Sequence, residues 1–251
     1  MLVFYIRHGD PIYDPDQLTP LGVQQAEAVA RRLALCGIDE IYSSTSNRAM
    51  QTAKPLCEML GKKAKTLDFL HEGSLRGLMT MSEQYGHDDW IWAHPEYSEI
   101  LCSREVRDLG ERWYTHPKIE PLHPESIILP IYDKIDELFA SLGYEHDTEK
   151  GLYKVTERKA EKRIAIFAHE CMGKVFMSRV LDIPFAQYAT HFEMHTSAFS
   201  VIRFDDGVFT PDGNPMSQYA RARLLCLSND SHLYREDIGL NHRFTHLRET
   251  Y

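Results

Sequence analysis

No run of this sequence is long and apolar enough to cross a bilayer, which takes about 20 predominantly apolar residues. The stretch from Met1 to Ile6 is too short for a secretory core. The five cysteines (Cys36, Cys57, Cys102, Cys171 and Cys226) are scattered, odd in number and include no C-x-x-C pair. That argues against a disulfide framework or a zinc site and fits reduced thiols in the cytoplasm. Basic residues are the minority, 28 Lys and Arg against 37 Asp and Glu, for a net charge of -9. A surface of that sign favours neither nucleic acid nor an anionic membrane. Internal repeats and low-complexity tracts are also missing, so solenoids and linkers drop out.

What remains is ordinary globular composition. The 251 residues are 43% hydrophobic and 26% charged, enough for one large domain or a domain with an insertion. The first and last thirds alternate strand and helix signals. Leu2 to Ile6 is a continuous apolar run, as in a strand buried on both faces. Thr19 and Pro20 then mark a helix start, with Thr19 as N-cap and Pro20 where its missing N–H costs nothing. Leu21, Gln25, Val29 and Leu33 recur near helical spacing, and Gly37 closes the segment. Glu40 to Ser43 reads as a second strand and Asn47 to Leu60 as a second helix, stopped by Gly61. Later, Ile164 to Ala168 is a strand and Met172 to Leu181 a helix. Ala198 to Phe204 is a strand leading into the turn signal Asp205-Asp206-Gly207, and Leu224 to Leu227 is a further strand.

This alternation predicts a three-layer α/β/α sandwich around a mainly parallel sheet. Ligands in such folds gather beyond the carboxyl ends of the strands. Residues 73–162 interrupt the alternation and hold all three tryptophans, Trp90, Trp92 and Trp113. An amphipathic helix carrying Ile131, Ile135, Leu138 and Leu142 lies there too. This stretch reads as an inserted cap over the sheet edge, within a single domain spanning 1–251.

Two of the apolar runs end at or beside a histidine. His8 follows the first strand within Arg7-His8-Gly9, and His169 follows Ile164 to Ala168. A neutral imidazole can attack phosphorus and carry it as a phosphoramidate, while guanidinium groups neutralise the non-bridging oxygens. Arg7 supplies a planar fork of donors, and Gly9 permits close backbone approach to an oxyanion. Arg48 falls in the opening turn of a helix, where the free N–H groups already favour an anion. Each piece alone has a blander explanation: a polar turn, a solvated arginine, a hydrogen-bonded histidine. No metal-ligand spacing stands out; His191 and His195, four apart, precede a strand and read as hydrogen-bonding groups. Neither metal nor cofactor is expected.

As an ordered set these elements resemble the histidine phosphatase superfamily, the phosphoglycerate mutase-like proteins. The resemblance includes Leu18-Thr19-Pro20-Leu21-Gly22, Arg48-Ala49 with Gln51-Thr52-Ala53, and Leu70-His71-Glu72. His123-Pro124-Glu125-Ser126 is similar to the family's Gly-Glu-Ser segment, with proline in place of glycine. Toward the end, Phe204 to Gly207 and Leu227 to Leu233 are also similar to family patterns. The resemblance implies that His8 becomes phosphohistidine, that Arg7, Arg48 and His169 cradle the phosphoryl group, and that Glu72 is the general acid.

Two departures refine that expectation. Asp10-Pro11-Ile12-Tyr13-Asp14 replaces the Glu-Ser-x-Trp-Asn of the glycolytic mutases. His169 is followed by Glu170, a second candidate acid, since the acid-phosphatase and phytase branch has an aspartate proton donor there. The expected activity is therefore metal-independent hydrolysis of a small phosphomonoester. The alternatives are a phosphoglycerate mutase-type phosphotransferase and a non-catalytic phospho-ligand binding protein.

Overall fold

The computed structural model describes residues 1–82, 86–157, 162–205 and 218–239. Its first part runs β1 (Leu2–Arg7), a small hairpin of β2 (Pro11–Tyr13) and β3 (Asp16–Leu18), then α1 (Pro20–Ala34). Next come β4 (Glu40–Ser43), α2 (Asn47–Leu60) and β5 (Ala64–Thr66). Beyond two 3-10 turns lie the hairpin β6 (Met79–Ser82) and β7 (His87–Trp90), then α3 (Pro95–Leu101) and α4 (Arg104–Leu109). The chain continues with α5 (Glu125–Ser141), the hairpin β8 (Tyr144–Asp147) and β9 (Leu152–Val155), β10 (Arg163–Ala168) and α6 (Glu170–Leu181). It closes with α7 (Phe185–His191), β11 (Phe199–Asp205), β12 (Tyr219–Asn229) and α8 (Ser231–Arg235).

Eight strands form the central sheet, in the order β5-β4-β10-β1-β11-β12-β9-β8. Strands β5, β4, β10 and β1 pair in parallel. From β1 onward through β11, β12, β9 and β8 every pairing is antiparallel. The sheet is therefore mixed: the strand–helix alternation builds its parallel half, and hairpin-like returns build the other. The turn signal after Asp205 falls outside the described residues, although β11 and β12 do pair as neighbours.

Burial on both sides explains why β1 and β10 read as unbroken apolar runs. Phe4, Ile6, Ala165 and Phe167 pack with Val29, Leu33, Ala53 and Leu56 of α1 and α2. Val3, Tyr5, Ile164 and Ile166 join the opposite core with Ile135 and Phe139 of α5 and Phe176 of α6. Alternate residues of a strand point to opposite faces, so each strand feeds two cores. The helix signals hold locally as well. Thr19 is extended and its hydroxyl accepts from the Gly22 N–H, with Pro20 in the first turn. Gly61 ends α2 at φ 63°, the left-handed conformation that favours glycine.

Of the tryptophans, Trp92 and Trp113 are core residues packed on Phe185 of α7, and Trp90 stacks on Trp92 at 5.0 Å. They anchor the segment after β7 to the body of the protein.

Candidate active site

The register of β1 against β10 brings the two histidines together. Arg7 lies opposite Ala168 in this parallel pair, so His8 and His169, each one residue further, leave the sheet side by side. Their rings sit 5.2 Å apart, centroid to centroid, at 63°. Strand β4, on the far side of β10, ends at Ser43, and Ser44 and Ser46 then turn into α2. Ser46 caps α2, and Arg48 in its first turn reaches back over the strand ends. Arg7, His8, Arg48 and His169 are all buried.

Hydrogen bonds assign both imidazole tautomers. His8 Nδ1 lies 2.7 Å from the Gly9 carbonyl oxygen, which only accepts, so Nδ1 carries the proton and the Nε2 lone pair is left uncommitted. His169 is the reverse. Its Nδ1 accepts from Arg48 Nη2 at 3.0 Å, so its Nε2–H points to Ser44 Oγ at 2.9 Å and Ser46 Oγ at 3.2 Å. Both rings are held neutral. Burial, followed by the charges of Arg7 and Arg48, drives the His8 pKa well below its ordinary value. Burial, then His8, Arg48 and further neighbours, lowers that of His169.

The guanidiniums are only partly committed. Arg48 bonds Asp16 Oδ1 at 2.9 Å and Glu72 Oε2 at 3.1 Å. Arg7 bonds the Met194 carbonyl and pairs with Glu170 Oε2 at 3.1 Å. The Nε of each remains buried without a hydrogen-bond partner among the described residues. A buried unpaired donor costs free energy, and two of them beside a free imidazole nitrogen mark a place for an anion.

Glu72 enters from the 3-10 turn after Leu70-His71, with Oε1 accepting from the Cys171 N–H at 3.2 Å and Oε2 3.7 Å from His169 Nδ1. The two candidate acids thus differ in place: Glu72 joins the histidines, whereas Glu170 turns toward Arg7 and Lys174. Gly9 is used differently from the sequence expectation. Its N–H donates to Thr52 Oγ1 at 3.0 Å, so that group is not free to meet an anion. A side chain at Gly9 would lie 2.6 Å from the Gly22 carbonyl oxygen, so glycine is required by the close packing of this turn on α1.

His8, Glu72 and His169 are the set that could hold a metal, with one ligand atom from each within 4.8 Å of the others. They do not fit the role. The Nδ1 lone pair of His169 is taken by Arg48, its Nε2 bears a proton, and two guanidiniums oppose a further cation. His195, singled out in the sequence, bonds Asp230 at 2.8 Å instead.

Sequence reasoning gave no role to Asp16, Ser44, Ser46 and Lys174, and quoted Thr52 only within the Gln51-Thr52-Ala53 motif. Only Thr52 carried a local signal, lying one helical turn beyond Arg48, whose carbonyl its hydroxyl bonds at 2.7 Å. Ser46 also acts locally as the cap of α2, and Asp16, Ser44 and Lys174 meet the site through tertiary contacts.

Known proteins are similar to this chain in sequence or in fold. A curated relative from Hydrogenobacter thermophilus, a putative phosphoserine phosphatase 2, is 28% identical over 131 residues, covering 48% of this chain and 56% of its own. A probable phosphoglycerate mutase GpmB from Yersinia enterocolitica is 33% identical over 87 residues, 31% of this chain and 40% of its own. The chain thus matches about half the length of these curated relatives or less. A solved mycobacterial glucosyl-3-phosphoglycerate phosphatase in complex with VO3 superposes with a TM-score of 0.56 at 18% identity, over 90% of this chain and 98% of that one. That likeness speaks for the fold. The family model of the histidine phosphatase superfamily (branch 1) matches residues 3–116, the stretch that delivers Arg7, His8, Arg48 and Glu72. Over that N-terminal stretch, just under half of the 251 residues, the chain is similar to the histidine phosphatase superfamily.

Proposed function

We propose that this protein is a metal-independent phosphatase that hydrolyses small phosphomonoesters through a phosphohistidine on His8. One observation carries the reading: a lone-pair-bearing imidazole nitrogen and two unpartnered guanidinium N–H groups share one buried cluster. In the first step His8 Nε2 attacks phosphorus and the ester P–O bond breaks. The Gly9 carbonyl, already bonded to Nδ1–H, stabilises the positive charge that develops on the ring. Arg7 and Arg48 bind the non-bridging oxygens, and Glu72 protonates the leaving oxygen. In the second step Glu72 takes a proton from water as that water attacks the phosphohistidine, which releases phosphate and restores His8. Fixed guanidiniums supply the charge stabilisation that a metal provides elsewhere, so a chelator should leave activity unchanged.

Segment 73–162 acts as a cap of the same domain and sets the choice of leaving group. The free cysteines support a reducing compartment such as the cytoplasm. The similarity to a mutase-named relative favours a second reading, transfer between hydroxyls of a small phosphorylated acid. One assay separates the two. The protein is incubated with a panel of phosphomonoesters, and with 3-phosphoglycerate plus a bisphosphorylated primer, scoring free phosphate and isomers. Phosphate release supports the phosphatase; isomerisation without release supports the mutase. If every phosphomonoester stays intact and vanadate still binds, the protein is a phospho-ligand binder.

A further inference from the structure

Lys174 is a lysine in the interior of helix α6, and it is 4% exposed. Burying an ammonium is expensive unless it is paired. Its partners are Glu170 Oε1 at 3.3 Å, one helical turn back, and the carbonyl of Phe192. The other oxygen of Glu170 is 3.1 Å from Arg7 Nη1, and the same Arg7 nitrogen also bonds the carbonyl of Met194. The seam between α6 and residues 192–194 leaves no volume for a water molecule. Lys174, Glu170 and Arg7 therefore form a line of charges, plus, minus, plus, with the two cations buried and the glutamate partly buried. One end is tied to the loop after α7, and the other presents the unpartnered Arg7 Nε in the histidine cluster.

Both oxygens of Glu170 are engaged by cations, so it acts here as an acceptor only. An arginine with rotatable bonds gains from a fixed partner, because a held guanidinium loses less freedom when it binds an anion. We propose that Glu170 and Lys174 are positioning residues: Lys174 and the Phe192 carbonyl hold Glu170, and Glu170 holds Arg7 so that its Nε faces the phosphoryl oxygens. The proposal rests on the phosphatase reading of this site, and it assigns Glu170 a role other than proton donor.

The test measures vanadate affinity by calorimetry and kcat/KM for aryl and alkyl phosphates, in wild type, Glu170→Gln, Lys174→Met, Lys174→Arg and the double variant Glu170→Gln/Lys174→Met. Glu170→Gln is expected to weaken vanadate binding by about ten- to a hundredfold, the effect of one charge-assisted hydrogen bond. It should lower kcat/KM by a similar factor for aryl and alkyl substrates alike. Lys174→Met should move both readouts the same way by less, Lys174→Arg should restore most of the loss, and the double variant should be no worse than Glu170→Gln alone.

If Glu170→Gln spares aryl phosphates and vanadate binding but cripples alkyl phosphates, Glu170 is a proton donor and the proposal is wrong. If vanadate affinity is unmoved in Glu170→Gln and Lys174→Met while hydrolysis continues, the positioning assignment alone falls. Should Glu170→Gln fail to fold, the Lys174→Met and Lys174→Arg pair decides by the same vanadate comparison. Wild type that binds vanadate but hydrolyses nothing, with binding still weakened in Glu170→Gln, removes the phosphatase reading and keeps the assignment.

Discussion

Helix α6 has a histidine at each end, and the two are held in opposite charge states. At its N-terminus His169 is the cap residue, fully buried among Arg48, Arg7 and His8, and neutral. At its C-terminus His146, whose side chain is 1% exposed, bridges Asp136 at 3.0 Å and the cap residue Asp182 at 3.0 Å. The hydrogen bonds and charges of those carboxylates outweigh its burial and raise its pKa to about 8. The positive helix end opposes a charge on the first ring, and the negative end favours one on the second. The difference also separates site from scaffold. Around His146 the charges balance: Arg179 pairs with Asp136, and His146 lies between the two aspartates. Around His169 the ion pairs form as well, but the hydrogen bonding is incomplete, because Arg7 and Arg48 each keep a buried Nε without a partner among the described residues. Unpaired buried donors favour an anionic ligand, whereas a cluster with its donors satisfied contributes to the fold.

The contrast can be broken at either end. His8→Ala should give the largest effect, loss of turnover to background with the fold intact, read as phosphate release alongside thermal unfolding. Arg48→Met removes a donor and also the partner of Asp16, Glu72 and His169. It should cost about 100- to 1000-fold in kcat/KM and weaken vanadate binding. A variant with unchanged vanadate affinity would show that the open donors are not the anion site.

Glu72→Gln should cost about 100-fold for alkyl phosphates and much less for aryl phosphates, whose leaving groups need no proton. Equal losses on both would remove it as the acid. His146→Gln sharpens the other end. It should leave kcat unchanged but reduce stability by about 2 kcal/mol at pH 6. The sign follows from the raised pKa. The stabilisation is complete below the unfolded value near 6.5 and is lost as pH rises through about 8, so the penalty should vanish by pH 9. Denaturant unfolding at several pH values reads it directly. His8 and His169 have lowered values and act on the acid side, where the unfolded chain takes up protons first and stability falls as pH drops below about 6.5.

Much of this was legible in the residues. Continuous apolar runs announced β1 and β10, and the Thr19-Pro20 and Gly61 signals placed helix ends, because both patterns depend on local burial and backbone geometry. The ordered motifs named Arg7, His8, Arg48, Glu72 and His169 before their proximity was visible. Other features were not legible. Gly9 suggested an anion contact, but its N–H serves Thr52 and its bare Cα serves Gly22. The antiparallel pairings of β1 with β11 and of β12 with β9 join strands far apart in the chain, and no local pattern specifies them.

By itself the sequence determined where β1, β4, β10, α1 and α2 run, which side chains lie at their ends, and which chemical groups a phosphoryl site could draw on. Those follow from periodicity and side-chain identity, which act over a few residues. Only the tertiary structure decided which nitrogen of each site histidine carries the proton, which carboxylate meets the histidines and which meets Arg7, and that His146 of β8 meets the C-terminal cap of α6. Such properties depend on distances between residues far apart in the chain, as between Arg7 and Glu170, and the fold alone sets those distances.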